Sequence, residues 1–184
     1  QTITFDSTTN QFGGAVTLTT QGTTANVTID GGTTALAIQG NVAGDLAVTA
    51  GAAITDSAAL TVSGTSSFTI DAGSNNITLG TSNLTGAIFV STTGTSDFTL
   101  DNTTTNVNLG TVGVTGNLSV TTGGTIIDSG VLTVTGTSAF TTDVNNQTIT
   151  LDSTTNQFGG AVTLTTQGTT ANVTIDGGTT ALAI

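Results

Sequence analysis

The chain has 184 residues and a formal net charge of −11, carried by eleven Asp in the complete absence of Lys, Arg, His and Glu. Cys, Met, Pro, Trp and Tyr are missing too, while Thr fills 49 positions and Gly 25. This excludes a basic surface for nucleic acid or anionic lipid, and it removes the usual general bases, thiol nucleophiles and soft metal ligands.

Disorder does not fit, because 35% of the chain is apolar and falls in short alternating runs of Val, Ile, Leu and Phe. No apolar run approaches membrane-spanning length, so membrane insertion is not expected. Residues 1–38 return as 147–184 with one change, Phe5 becoming Leu151, which sets a period of 146 residues. The expected organisation is one continuous unit over 1–184, with 1–146 a full tandem repeat and 147–184 the start of the next. The chain then reads as a window on a longer array, as does its lack of an initiating Met.

From the N-terminus onward, apolar residues come as pairs around one polar residue, each closed by Gly, Asp, Asn or Ser, the period-2 mark of short strands and turns. Ile3/Phe5, Val16/Leu18, Val27/Ile29, Leu36/Ile38 and Leu46/Val48 open the series, followed by Ile54, Leu60/Val62, Phe68/Ile70, Ile77/Leu79, Leu84 and Ile88/Val90. Phe98/Leu100, Val107/Leu109 and Leu118/Val120 continue it, then Ile126, Leu132/Val134, Phe140, Ile149/Leu151, Phe158, Val162/Leu164, Val173/Ile175 and Leu182/Ile184. A second duplication lies inside the period: Ile54–Thr69 matches Ile126–Thr141, and Gly44–Gly51 matches Gly116–Gly123, both at an offset of 72. The 146-residue repeat is thus two degenerate halves of about 73 residues.

A strand with one apolar face cannot stand alone, but stacked on the next turn of the chain it pairs its amides and buries that face. The predicted fold is all-β, a right-handed parallel β-helix (β-solenoid) with about three short strands per coil. Grouping the pairs in threes gives coils of 30, 22 and 20 residues, then 30, 22 and 22, six to a period. In that frame Val27, Ile54, Ile77 and Phe98 stack in one column, and Asp6, Asp30, Asp56, Asp101, Asp128, Asp152 and Asp176 follow its strands, with only Gly80 breaking the series. Four coils of about eighteen residues per half-repeat is the competing frame.

The segments GDLAVTAGAAITDSAALTVSGTSSFT (44–69) and GNLSVTTGGTIIDSGVLTVTGTSAFT (116–141) resemble the repeat regions of filamentous haemagglutinin-like secreted adhesins. That resemblance covers essentially the whole chain. It implies a right-handed β-helix exported by two-partner secretion, an extracellular or cell-surface location, and partners among host or neighbouring cell surfaces or glycans.

No cofactor is required by this composition. Calcium is the one metal with plausible ligands, at Asp30, Asp56, Asp101, Asp128, Asp152 and Asp176, where stacked carboxylates have no cation to relieve them. The alternative is an Asx-turn, in which each carboxylate accepts nearby amides. Phe89 stands between Ile88 and Val90, where an outward residue should be polar, so it is either a local packing feature or a lateral contact to another fibre. Seven Asn-x-Ser/Thr sequons, at Asn26, Asn76, Asn83, Asn102, Asn117, Asn146 and Asn172, are what abundant Thr produces by chance.

The leading function is structural: a repeat region of a secreted bacterial surface fibre, stalk, sheath or adhesin, associating with itself or continuing as a covalent array. A calcium-stabilised spacer for a separate adhesion module is the alternative. Ice binding needs paired outward Thr on every rung, but Thr17/Thr19 gives way to Ala47, Phe89 and Ser119. A polysaccharide-cleaving β-helix needs two unlike carboxylates in one cleft, whereas these recur identically, so no enzyme is expected.

Overall fold

The computed structural model describes residues 1–103 and 105–184. It is an all-β solenoid of about eight turns, with no helix among the described residues. Every strand pairing in it is parallel, each strand bonding to its counterpart one coil before and one coil after.

Two stacked sheets form the walls. The first runs Ile3–Phe5, Val27–Asp30, Leu46–Ala50, Ser66–Ile70, Ala87–Ser91, Val107–Val114, Ile126–Asp128, Ile149–Leu151 and Val173–Ile175. The second runs Val16–Thr19, Leu36–Val42, Ile54–Val62, Ile77–Leu79, Phe98–Asp101, Leu118–Thr122, Ser138–Asn145 and Val162–Gln167. Nine rungs in the first sheet make eight steps, a rod about 38 Å long at ~4.8 Å per step.

Most coils hold a single strand on one side and two short arms on the other. In the coil beginning at Ile54 the arms are Ile54–Asp56 and Leu60–Val62, and the single strand is Ser66–Ile70. Inward side chains from both sheets meet in one core, where Ile54, Leu60, Val62, Phe68, Ile77 and Phe98 have no solvent exposure. Core volume is balanced within a rung: the buried Ser66 and Ser138 precede the large Phe68 and Phe140, where neighbouring rungs carry two aliphatics such as Leu46/Val48 and Leu118/Val120. Neither seryl Oγ finds a hydrogen-bond partner, so these hydroxyls serve as small volume.

The three-column frame is corrected by the pairing. Ile54, Ile77 and Phe98 do stack, but Val27 lies in the other sheet, bonded in register to Leu46. Phe98 is followed by Leu118, not Ile126, and Ile126 sits above Val107. Each stretch taken as a 30-residue coil is a coil and a half, because one crossing between the sheets was absorbed into it. Val16 and Val162, one 146-residue period apart, begin the first and last of eight strands in the second sheet and are therefore separated by seven coils of about 21 residues.

Close stacking dictates the glycines at the corners. Gly44 and Gly64 lie on consecutive coils, as do Gly116 and Gly136, and in each pair the later amide donates to the earlier carbonyl, at 3.0 and 2.8 Å. A Cβ on Gly64 would fall 2.5 Å from Asp45 Oδ1 and 2.6 Å from the Gly44 carbonyl carbon, so any side chain there forces the coils apart. Gly113 is different: a Cβ there would meet nothing closer than the Val90 carbonyl oxygen at 3.8 Å. Gly64→Ala should therefore lower stability by about 2–3 kcal/mol, whereas Gly113→Ala should change it by less than about 0.5 kcal/mol. Paired urea melts of the two variants check both values.

Candidate functional site

Most of the side chains with chemistry to offer sit at the corners between strands, Asp143 being an exposed carboxylate within the strand Ser138–Asn145. On the second sheet the outward row Thr55, Thr78, Thr99, Ser119, Ala139 and Thr163 runs unbroken over successive rungs.

The six Asp proposed as calcium ligands do not form one column. Asp56 and Asp101 belong to the second sheet, with Gly80 on the rung between them, while Asp30, Asp128, Asp152 and Asp176 belong to the first. Asp128, Asp152 and Asp176 stand on three successive rungs, yet no group of three or more carboxylates converges among the described residues.

Five of the six have their oxygens occupied, in two ways, while Asp152 contributes only its backbone amide, to Asp128. Asp30, Asp101 and Asp176 close Asx-turns, accepting the amides of Gly32, Thr103 and Gly178 at 2.6, 3.0 and 2.7 Å. The turn places its third residue in the left-handed region, with φ of 59° at Gly32, 43° at Thr103 and 61° at Gly178. Asp56 and Asp128 instead reach to the next coil. Asp56 accepts the amides of Gly80 and Thr81 at 2.8 and 2.7 Å, and Asp128 accepts those of Asp152 and Ser153 at 3.0 and 3.3 Å. A calcium ion bridging adjacent rungs would compete with these amides for the same oxygens.

A second set of side-chain acceptors stands just before the strands. The Asn26 amide oxygen takes the Asp45 amide at 2.9 Å, and the Asp45 carboxylate takes the Thr65 amide at 2.8 Å. Asn76, Asp97 and Asn117 repeat the arrangement, accepting the amides of Asp97, Asn117 and Thr137 at 2.9, 2.7 and 2.9 Å. The series is a ladder of side-chain acceptors, each satisfying a corner amide one coil on.

Sequence reasoning treated these Asn only as chance sequons. Their signal was present: Asn or Asp directly precedes the strand in Asn26-Val27, Asp45-Leu46, Asn76-Ile77, Asp97-Phe98 and Asn117-Leu118. Asn102 was missed in the same way. Fully buried at the end of the Ser82–Leu84 arm, it accepts the Leu84 amide on Oδ1 at 2.7 Å and donates from Nδ2 to the Leu84 carbonyl at 3.1 Å. One side-chain amide thus takes the place of the next strand and ends the arm.

Phe89 is outward and 38% exposed. Its ring lies over Gly110 in the adjoining rung, where two residues face one and a Cβ would meet the ring edge at 2.6 Å. The aromatic face therefore covers a bulge in its own chain, which gives the local packing role a definite contact.

This arrangement defines a repeat protein of the parallel β-solenoid class, whose polar side chains close coil upon coil. The chain belongs to the family described as repeats of unknown function (DUF5649), which matches residues 24–92 and 95–165. No curated protein and no solved structure matches it.

Asn102→Ala should orphan both the amide and the carbonyl of Leu84 at a buried position and lower stability by about 2–4 kcal/mol, measured by denaturant melting. Because five of the six carboxylates already accept chain donors, adding a chelator should leave the thermal melting midpoint unchanged. A drop in that midpoint, restored by calcium alone, would reverse this reading of the Asp residues.

Proposed function

We propose that this chain is a structural segment of a bacterial surface fibre, stalk or adhesin, secreted and extended by repetition, with host or neighbouring cell surfaces or glycans as partners. The observation that carries the reading is the use of the polar side chains. The Asx residues at the corners serve to bond one coil to the next, which is what a rod that grows by repetition requires. The corner groove of about 430 Å³ among the described residues pairs no acids: it is lined by Thr23, Asn26, Gly44 and Gly64, and its one carboxylate, Asp45, already bonds Thr65. The resemblance of 44–69 and 116–141 to filamentous haemagglutinin-like repeats supports the secreted, adhesive form of this reading.

The composition suits that setting. A chain without Lys or Arg offers no site to trypsin-like proteases, and one without Cys or Met has little to oxidise. In this reading the fibre grows covalently, one 146-residue period after another.

Electron microscopy of the native protein, with its mass measured under denaturing conditions, tests the proposal. Unbranched rods built of polypeptides far larger than 17.9 kDa are expected. Compact particles, or rods that fall apart into pieces near that mass, would overturn the covalent fibre, and antibody labelling confined to the cell interior would overturn the surface location.

A further inference from the structure

The two family matches and the sheet pairing together carry one more step. Residues 24–92 contain seven successive visits to the walls: Val27–Asp30, Leu36–Val42, Leu46–Ala50, Ile54–Val62, Ser66–Ile70, the pair Ile77–Leu79 and Ser82–Leu84, and Ala87–Ser91. Residues 95–165 also contain seven, from Phe98–Asp101 to Val162–Gln167. The first unit begins and ends on the first sheet, and the second begins and ends on the second.

An odd number of half-coils has a geometric consequence. Corresponding strands of the two units lie on opposite walls: Leu46 and Leu118, Ile54 and Ile126, Phe68 and Phe140, Ile77 and Ile149, and Ile88 and Val162 each divide between the two sheets. We infer that the family unit is a three-and-a-half-coil element that turns its outer face to the opposite side of the rod at every repetition, so that two units form the smallest element that restores a face. The units are related by a half-turn about the rod axis and a rise of about 17 Å at ~4.8 Å per coil.

Both walls can accept the same unit because its inward residues barely change. Ile54, Leu60, Val62, Phe68 and Ile77 are matched by Ile126, Leu132, Val134, Phe140 and Ile149. Outward residues are free to differ, and they become specific to one face. Phe89 and Ile127, 38% and 41% exposed on the first sheet, correspond to Thr163 and Thr55 on the second. At these two positions the first wall carries large apolar groups where the second carries hydroxyls.

The chain contains no cysteine, so introduced thiols report cleanly. In the full chain, Thr99→Cys with Ser119→Cys places two outward thiols on adjoining rungs of the second sheet, and Phe89→Cys with Ser119→Cys places them on opposite walls. Near-complete disulfide formation in the first variant and none in the second is expected, each variant being checked for native melting before oxidation. The reverse pattern, Phe89→Cys linking with Ser119→Cys, would mean that the second unit stacks on the same face and would overturn the inference. A third variant, Thr55→Cys with Thr78→Cys inside the first unit's second-sheet stack, must link in either case and shows that the fold is intact.

Discussion

Everything in this molecule follows from the requirement that a short strand, of two to nine residues, find partners for its amides one coil away. No local hairpin is available to satisfy them, since all the pairings are parallel, and a coil of about 21 residues separates each donor from its acceptor. Corners are the difficult places, because there the backbone leaves the sheet while its polar groups are still partly enclosed. The chain answers with Asn, Asp and Thr side chains as acceptors, and with glycine where consecutive coils approach too closely for a Cβ.

The charge distribution is a consequence of the same demand. A net charge of −11 with no cation would ordinarily work against a compact state. Here seven of the carboxylates, those of Asp30, Asp45, Asp56, Asp97, Asp101, Asp128 and Asp176, accept backbone amides that supply positive dipoles, and the second-sheet row from Thr55 to Thr163 is neutral. Thr fits those rows for two reasons: its branched Cβ favours extended backbone, and its hydroxyl keeps the face wet without adding charge.

The class of fold, the location of the strands and the inward residues were all legible in the sequence, because period-2 patterning reports burial directly. The assignment of strands to walls was not. A hydrophobic pair looks the same whichever wall it joins, and since the units swap walls, both walls use the same vocabulary. The Asp following Ile29, Thr55, Leu100 and Ile127 marked equivalent places within the units, and equivalence within a unit was mistaken for position in a column. Only the partner of each strand separates the two, as when Val27 pairs with Leu46 and Phe98 with Leu118. Asn102 was obscured for another reason, since its partner Leu84 lies 18 residues away; the Asn and Asp ahead of the strands did leave a local pattern, but not the identity of the amide one coil on that each accepts.

The half-coil remainder also accounts for the two levels of repetition. Units 72 residues apart keep their inward residues but differ outside, because they face opposite sides of the rod and meet different surroundings. Segments 146 residues apart differ at one position in 38, and they are separated by a whole number of coils. At that spacing both copies of a strand lie on the same wall, Ile3–Phe5 with Ile149–Leu151 on the first and Val16–Thr19 with Val162–Gln167 on the second, so a copy needs no adjustment to fit. At half that spacing a copy fits the core unchanged but presents its outer residues to the other side. Near-identity at the longer period and divergence of the outer residues at the shorter one are therefore what a unit of seven half-coils requires.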